Sequence, residues 1–481
     1  MKTSLRDLAA GVICAGFEGR PSRTELRSVL HDFPLAGFVF FERNADSIDG
    51  ARTLTDALRD LYAGLLPILA IDQEGGRVAR INRGNVQIPS AMAMAAAGQV
   101  ELTRRAGAQV AHDLRRGGFN LNFAPVLDLA LEPANVVIGT RAFSADPQVV
   151  VEFAGAFAGA LRSGGIVPTF KHFPGHGGTA VDSHAGLPVI EADEPRLRDR
   201  DLMPFAELLP HAPAVMTAHV VVNVFDRRPA TLSPRVLGDL LRRDIGFSGV
   251  CFTDCMQMEA IAKTVGSEEG SVQALISGAD CILLSNGLDV ARRIAQRIER
   301  AVDSGRLPHQ RLEEAYARVQ ALRGCLSEPL PLESPPPDPT VGKEIARRAF
   351  KWIRGECRLT PAQSCVVSFG PSLSRNVPAL EERVLPLDPT TAQTDWLLDE
   401  IRVLGKRIVV LSSRAHLHES QARTIERLLT AHADACIVST LEPFDQARFT
   451  RARHVAATFG DSAPSLEGLA SKLFTERAVV A

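Results

Sequence analysis

The chain has 481 residues, of which 45% are hydrophobic and 23% charged. This length predicts two or three domains, and this composition excludes a disordered chain and a membrane-embedded one. Basic and acidic residues number 54 and 56, a formal net charge of −2, so we expect a local functional site and neither a nucleic-acid nor a membrane partner.

The N-terminus and the cysteines both favour a cytoplasmic location. Arg6 and Asp7 interrupt the apolar core that a secretory signal would need. The eight cysteines are scattered and mostly lie in apolar segments, a distribution typical of buried thiols in a reducing compartment. Cys251 and Cys255 lack the second close pair of a zinc site. We therefore predict a cytoplasmic protein.

Short apolar runs alternate with longer helical patterns through the first 300 residues or so. Amphipathic stretches at 101–117 and 147–163 lie between such runs, and strands that alternate with helices predict a parallel sheet. Seven units, with an eighth expected near the N-terminus, favour a TIM-like (β/α)8 barrel over an open doubly wound sheet, which remains the alternative. The predicted strands are 37–41, 67–71, 121–126, 166–170, 214–217, 250–253 and 281–284.

A proline-rich stretch divides the chain, because six prolines within 329–339 leave no room for a helix or a central strand. We predict a catalytic barrel over 1–327, a linker over 328–342 and a C-terminal domain over 343–481. The C-terminal domain is predicted to be a smaller α/β domain built as a parallel-sheet sandwich. Neither a dinucleotide fingerprint nor a P-loop is present in it, so we expect no cofactor. Its predicted strands are 365–369, 407–411, 435–438 and 454–457, and its predicted helices lie near 343–353, 391–404 and 418–432.

Polar residues follow four of the predicted barrel strands. Asp72 and Arg80 come after the second predicted strand, Lys171 after the fourth, His219 after the fifth and Asp254 after the sixth. In a (β/α)8 barrel, residues in this position line the C-terminal face, where catalytic sites are built. The sequence therefore predicts that carboxylates, imidazoles and cations meet on one rim.

The densest polar segment is KHFPGHGGTAVDSH, residues 171–184. Its histidines could simply be exposed or hydrogen-bonded, and His172, His176, Asp182 and His184 are also metal-ligand types. Pro174 lies between His172 and His176 and no Glu separates them, so they cannot form the helical H-E-x-x-H pair, and we expect no metal. The remaining hypothesis is an Asp182–His184 dyad, in which the carboxylate fixes the imidazole tautomer for proton transfer.

Asp254 ends a predicted strand and has two interpretations. It could cap the following helix, as Asp commonly does. It could also be the nucleophile of a retaining glycoside hydrolysis, which needs one carboxylate to attack the sugar and one acid to protonate the leaving oxygen. In that hypothesis His184 replaces the usual second carboxylate.

Several motifs together resemble family 3 glycoside hydrolases, and specifically the bacterial β-N-acetylglucosaminidases of that family. The resemblance covers roughly residues 5–325. KHFPGHG followed by Asp-Ser-His is its most specific signature. Two positions depart from the usual family pattern. Gly178 stands where the family often has Asp, and the segment around the implied nucleophile reads Thr253-Asp254-Cys255-Met256. Neither departure replaces a residue to which the family assigns a role. The supporting segments are IDQEGGRVARI (71–81), GFNLNFAPVLDL (118–129), IGTRAFSADP (138–147), KHFPGHGGTAVDSH (171–184), MTAHVVV (216–222) and GFSGVCFTDCMQMEAI (246–261).

The resemblance implies a role for each of eight residues. It makes Asp254 the nucleophile, His184 the general acid/base and Asp182 the residue that supports His184. It makes the others ligands of the sugar hydroxyls, and one of these is the sole lysine between Lys2 and Lys263. The implied sugar ligands are Asp72, Arg80, Arg141, Lys171 and His172.

The activity implied is that of a retaining exo-β-N-acetylglucosaminidase acting on muropeptides in peptidoglycan recycling. Trp352 and Trp396 both fall outside the predicted barrel, which favours recognition of one terminal sugar over stacking of a long polysaccharide. The alternatives are a phosphorylase of the same glycosides, a β-glucosidase or β-xylosidase of the family, and a non-catalytic sugar-binding protein. The sequence leaves the oligomeric state open.

Overall fold

A computed structural model describes residues 3–62, 64–179, 186–377 and 380–474 of the chain. The predicted dyad residues Asp182 and His184 lie outside this description. Within it, no helix is both long and apolar enough to cross a membrane.

Eight parallel strands close into a barrel, which confirms the predicted (β/α)8 architecture. Their order around the barrel follows the chain, and β1 pairs with β8 to close it, with Ile13 opposite Ile282. The eighth strand, expected near the N-terminus, is β1. The barrel strands are β1 Ile13–Ala15, β2 Gly37–Phe40, β3 Ile68–Ile71, β4 Leu121–Asn122, β5 Val167–Phe173, β6 Ala214–Thr217, β7 Val250–Cys255 and β8 Cys281–Leu284.

Helices surround the barrel and include both predicted amphipathic stretches, which become α5 and α6. Two π-helical segments, Leu197–Asp201 and Arg235–Asp244, complete the outer ring. The α-helices are α1 Leu5–Ala10, α2 Arg23–Asp32, α3 Ile48–Arg59, α4 Ala91–Ala96, α5 Val100–Arg116, α6 Pro147–Ser163, α7 Glu194–Arg196, α8 Met203–Leu208, α9 Glu259–Ala262, α10 Ser267–Ser277, α11 Leu288–Asp303 and α12 His309–Arg323.

Two of the strand ends that differ from the prediction shape the C-terminal rim. The predicted strand 121–126 stops at Asn122, shortly before Pro125, which has no N–H to donate to a ladder. The predicted strand 166–170 instead continues to Phe173. Lys171 and His172 therefore stand on a strand and not on a loop.

The barrel interior is filled by alternate side chains of the strands. Val39 and Met216 belong to this inner cluster, whereas their neighbours Phe38 and Val215 pack outward in the larger cluster shared with the helices. This is the two-residue period of a strand with both faces buried. Val39 and Met216 also face the cavity described below, so the packed interior forms its floor.

A second sheet follows the barrel and is mixed. Five strands are parallel, and β9 pairs antiparallel with β14 at one edge. Apolar clusters lie on both faces, as the predicted sandwich requires. The sheet order is β9-β14-β13-β12-β10-β11, with β9 Lys351–Arg354, β10 Ser364–Ser368, β11 Glu381–Val384, β12 Arg407–Ser412, β13 Cys436–Ser439 and β14 His454–Ala457.

The helix predicted near 343–353 is too long, because it ends at Ala349 and the chain then forms β9. Both outer strands, β9 and β11, were missed because their charged, half-exposed residues do not form an apolar run. The first helix of this part, α13, packs against α16 and also against α4 and α5 of the barrel. The predicted domain limits remain a prediction. The helices are α13 Val341–Ala349, α14 Thr391–Arg402, α15 Glu419–Ala431 and α16 Ala463–Leu473.

The cysteines are unpaired thiols. Five of the eight are buried, and Cys325 is exposed. Burial raises the pKa of the Cys251 thiol to about 12, since the thiolate would lose its hydration. The cytoplasmic location remains a prediction.

Candidate active site

A cavity of about 650 Å³ opens at the C-terminal ends of the barrel strands. It collects six of the eight predicted site residues, while Asp182 and His184 lie outside the described residues. Substrate-sized concave sites lined by a few convergent polar groups are typical of enzymes of this fold. The six are Asp72, Arg80, Arg141, Lys171, His172 and Asp254.

Lys171 stands between two carboxylates at the end of β5. Its side chain is 2% exposed, and Nζ lies 2.6 Å from Asp72 Oδ1 and 2.6 Å from Glu74 Oε1. Arg80 approaches the other oxygen of Asp72, with Nη2 3.9 Å from Oδ2. A compact ammonium suits this narrow position better than a planar guanidinium would.

Glu74 also holds Arg141 through two parallel hydrogen bonds. Arg141 Nη2 donates to Oε1 at 2.7 Å and Nε donates to Oε2 at 2.9 Å, the bidentate geometry that favours arginine. Burial alone would raise the pKa of Glu74, but Arg141 and Lys171 outweigh it and hold that pKa well below its usual range. Sequence reasoning missed Glu74, although it lies inside the quoted segment 71–81.

His172 is oriented by a second buried carboxylate that sequence reasoning missed, Asp128. The distance from His172 Nδ1 to Asp128 Oδ2 is 2.6 Å, and Arg141 Nη2 lies 3.4 Å from His172 Nε2. Asp128 also accepts the His176 backbone N–H at 2.6 Å. Burial opposes ionisation of Asp128, yet His172 and His176 lower its pKa. An ionised Asp128 thus fixes the ring orientation of His172.

Asp254 lies near the end of β7, and the helix-cap interpretation is wrong. The following helix begins at Glu259, with Met258 in the capping position. Asp254 Oδ1 accepts the Cys255 backbone N–H at 2.7 Å. Burial would raise the pKa of Asp254, but His219, His172, this hydrogen bond and Lys171 outweigh it and lower that pKa. The side chain is therefore a carboxylate at neutral pH, as a nucleophile requires.

His219 lies behind the cavity and joins two neighbouring strands. It is fully buried, with Nε2 3.0 Å from the Cys255 carbonyl oxygen and Nδ1 2.8 Å from Thr231 Oγ1. A carbonyl only accepts, so Nε2 carries a proton and donates it. His219 therefore supports the backbone beside Asp254.

His176, the other histidine of the predicted loop that the structure describes, packs inward. His176 is buried, and Thr179 Oγ1 lies 2.9 Å from its Nδ1. Burial lowers its pKa, although Asp128 opposes that shift. In the described parts of the chain, no three His, Cys, Asp or Glu side chains are grouped as metal ligands would be.

Three further charged residues line the cavity and were not predicted. Arg77 and Glu259 come from the barrel, and Arg414 comes from the segment after β12 in the second sheet. No motif in the C-terminal half marks Arg414, because its place is decided by how the second sheet docks on the barrel. The cavity is therefore shared between both parts of the chain.

Comparisons with known proteins agree on one family. Residues 8–322 match the Glycosyl hydrolase family 3 N terminal domain. The chain is 33% identical to Beta-hexosaminidase A of Pseudoalteromonas piscicida over 335 residues, which cover 63% of this chain but only 56% of that protein. It is 38% identical to a Beta-hexosaminidase of Pseudomonas aeruginosa (strain LESB58) over 264 residues, covering 54% of this chain and 78% of that protein.

A solved structure extends the likeness to the second sheet. A family 3 beta-N-acetylglucosaminidase from Paenibacillus sp. str. FPU-7 is 29% identical, with a TM-score of 0.90 over 98% of this chain and 96% of that chain. The family match alone spans well over half of the present sequence. The chain therefore belongs to glycosyl hydrolase family 3 and is a glycoside hydrolase.

Proposed function

We propose that the chain is a retaining exo-β-N-acetylglucosaminidase that releases terminal β-linked N-acetylglucosamine. The observation that carries the proposal is an ionised Asp254 in the same cavity as five polar groups suited to hold a sugar. Retaining hydrolysis begins with attack of such a carboxylate on the anomeric carbon.

In the proposed mechanism, Asp254 attacks the anomeric carbon while His184, oriented by Asp182, protonates the leaving glycosidic oxygen. This step forms a bond from the Asp254 oxygen to the sugar and breaks the glycosidic bond. Water then gives a proton to His184 and attacks the glycosyl-Asp254 ester, so two inversions give net retention. Both dyad residues lie outside the described residues, and their roles rest on the family resemblance.

The sugar ligands in this proposal are Asp72, Arg80, Arg141, Lys171 and His172. Lys171 and Arg141 are held through Glu74, and His172 is held by Asp128. Buried ion pairs of this kind keep donors at set positions, so little reorganisation is needed when the sugar binds.

The names of the relatives favour the N-acetylhexosamine substrate. Two of them are called beta-hexosaminidases, and the solved structure is a beta-N-acetylglucosaminidase. From the family resemblance, we propose that the physiological substrates are muropeptides released in peptidoglycan recycling. From the cysteine pattern, we propose that the enzyme acts in the cytoplasm. The binding partner of this proposed enzyme is therefore its small carbohydrate substrate.

A substrate comparison tests the proposal. Nitrophenyl β-glycosides of N-acetylglucosamine, glucose and xylose are compared with and without phosphate. We expect fastest turnover of the first, release of the free sugar and no dependence on phosphate. Faster turnover of the glucoside or xyloside would indicate a β-glucosidase or β-xylosidase instead. Formation of a sugar 1-phosphate would indicate a phosphorylase, and binding without turnover would indicate a sugar-binding protein.

The nucleophile is tested separately. A fluorinated glycoside that forms a long-lived intermediate should label the peptide containing Asp254, as read by mass spectrometry. Asp254→Ala should abolish both labelling and turnover while the folded state is retained. Wild-type activity in this variant would show that the assignment is wrong.

A further inference from the structure

Three contacts join the second sheet to one barrel segment, residues 133–141, which forms a wall of the cavity. Glu442 Oε1 accepts the Thr140 backbone N–H at 3.0 Å, and Arg414 Nη2 donates to the Val136 carbonyl at 3.4 Å. His416 Nε2 lies 3.1 Å from the Pro133 carbonyl oxygen. The 133–141 segment is thus held at both ends and in the middle.

The contacts are made by side chains that are themselves paired, one of them buried and the other two partly buried. Glu442 is 3% exposed and Arg414 holds it bidentately, with Nη2 to Oε1 at 2.6 Å and Nε to Oε2 at 2.9 Å. Arg414 has φ of 55°, a left-handed conformation that is uncommon for a residue with a Cβ and persists only where the surroundings hold it. The geometry at Arg414 is therefore imposed by the ion pair and the docking.

The barrel side of the contact is shaped to match. Gly139 has φ of 42°, and a Cβ at this position would lie 2.0 Å from Glu442 Oε1. Only glycine allows the backbone to approach the carboxylate this closely. The close approach places the Thr140 N–H within hydrogen-bond distance of Glu442.

The same segment reaches the proposed sugar ligands. Arg141 follows Thr140 directly, and its Nη1 donates to the Val137 carbonyl at 3.1 Å. Asn135 Nδ2 donates to the His176 carbonyl at 2.9 Å, in the segment that follows β5. A displacement of the 133–141 segment would therefore move Arg141 and the support of the His176 backbone together.

We propose that Glu442 and Arg414 are positioning residues, through which the second sheet fixes Arg141 for the sugar. The inference rests on the proposed function insofar as Arg141 binds the sugar. In this proposal the second sheet supplies no catalytic residue and acts on the reaction only by positioning a residue of the barrel. A misplaced Arg141 would hold the sugar less tightly, so this contact affects substrate binding across the interface.

The test is Glu442→Gln in the full chain, with Glu426→Gln as the matched control. Glu426 lies exposed on α15, where its Oε1 is 3.2 Å from Arg448 Nε. We expect Glu442→Gln to raise KM roughly ten-fold with a smaller change in kcat, and the control to match the wild type. In an Arg141→Lys background, the effect of Glu442→Gln should largely disappear, because both changes act on one interaction.

A second readout does not depend on activity. Hydrogen exchange of the peptide containing Thr140 should become faster in Glu442→Gln, while exchange in β3 and β7 stays as in the wild type. If no glycoside is cleaved by the wild type, the proposed function has failed, and the exchange measurement still decides the positioning role. If Glu442→Gln does not fold, Gly139→Ala is the second variant, because it displaces the 133–141 segment from the barrel side. It should likewise raise KM and speed hydrogen exchange of the Thr140 peptide.

The proposal is overturned if Glu442→Gln and Gly139→Ala leave KM and the exchange of the Thr140 peptide unchanged. It is also overturned if the effects of Glu442→Gln and Arg141→Lys are fully additive. Additivity would mean that Glu442 acts independently of Arg141.

Discussion

The charged side chains around the cavity neutralise one another within a small buried volume. Lys171 contacts Asp72 and Glu74, and Glu74 in turn holds Arg141. Ions removed from water lose several kcal/mol each unless an opposite charge compensates them. Loss of Lys171 would therefore remove a cation that compensates two carboxylates at once, so we expect it to lower the stability of the folded state.

Lys171→Met tests this coupling. The change leaves Asp72 and Glu74 without their shared cation, and removal of one partner of a buried pair costs about 3–5 kcal/mol. We expect a loss of that order in the free energy of unfolding and a large loss of kcat/KM. Urea unfolding and steady-state kinetics measure both quantities.

The control is Lys343→Met, because the Lys343 side chain is 60% exposed and pairs with Glu467 at the surface. It should change the free energy of unfolding by less than about 1 kcal/mol. Equal effects of the two substitutions would contradict the coupling.

The lowered pKa of Asp254 predicts the acid side of the pH profile. Its ordinary value is 3.8, and burial, which would raise it, is outweighed by His219, His172, the Cys255 N–H and Lys171. The carboxylate form is therefore lost only as pH falls below that value. The acid limb of kcat/KM should lie below about pH 4, and His219→Gln should move it upward, as measured by kinetics across pH. A limb unchanged in His219→Gln would remove His219 from the explanation.

Three of the barrel strands place polar groups of the cavity at their C-terminal ends. β3 leads to Asp72, β5 carries Lys171 and His172, and β7 carries Asp254. Their relative positions depend on how closely the strands approach. At the opposite end of β2, a Cβ added to Gly37 would lie 2.1 Å from the Ile68 carbonyl oxygen on β3. Strand spacing therefore depends on small residues as well as on apolar packing.

Two glycine substitutions should have opposite signs. Gly37→Ala must push β2 and β3 apart, and overpacking of this kind costs about 1–3 kcal/mol. Gly159→Ala adds a methyl group to an exposed position inside α6 with no atom within 4 Å, and should stabilise the protein by roughly 0.5–1 kcal/mol. Thermal unfolding of both variants measures the difference, and a stabilised Gly37→Ala would contradict the strand contact.

At the scale of the whole molecule, the second sheet completes the cavity through residues that follow β12 and β13. His416 belongs to this contact and has two acceptors. Its Nδ1 lies 2.7 Å from Asp445 Oδ1, and its Nε2 faces the Pro133 carbonyl. Burial would lower the pKa of His416, but the hydrogen bonds to Asp445 and Pro133 and the charge of Glu442 raise it. Both ring nitrogens therefore donate, as in an imidazolium.

The docking contact should weaken as pH rises. A raised pKa means that the folded state holds the proton more tightly, so the stabilisation is complete below the ordinary histidine value of 6.5 and is lost as pH rises through the raised value. His416→Gln should lower the free energy of unfolding by about 1–3 kcal/mol at pH 6 and by less at pH 9. Urea unfolding at both values measures this.

His211→Gln is the control, because His211 is exposed on the barrel. It should leave the free energy of unfolding nearly unchanged at both pH values. A cost for His416→Gln that is independent of pH would contradict the imidazolium assignment.

The sequence by itself determined the barrel, the second sheet and most of the cavity. Buried parallel strands are nearly continuous apolar runs, so they could be located, and the polar residue after each run then marks the functional rim. Asp72, Arg80, Lys171, His172 and Asp254 follow such runs, whereas Arg141 was identified only through the family motifs. The outer strands β9 and β11 were missed because edge strands carry charged residues and show no such run.

Only the tertiary structure decided which charged groups are partners. Glu74 pairs with Arg141 across 67 positions, and Glu442 binds Thr140 across 302. Local sequence does not show which residues pair over such separations along the chain, because the pairing follows from strand order and from the docking of the second sheet. The anchoring of the proposed sugar ligands, and the contribution of Arg414 to the cavity, are therefore properties of the assembled molecule.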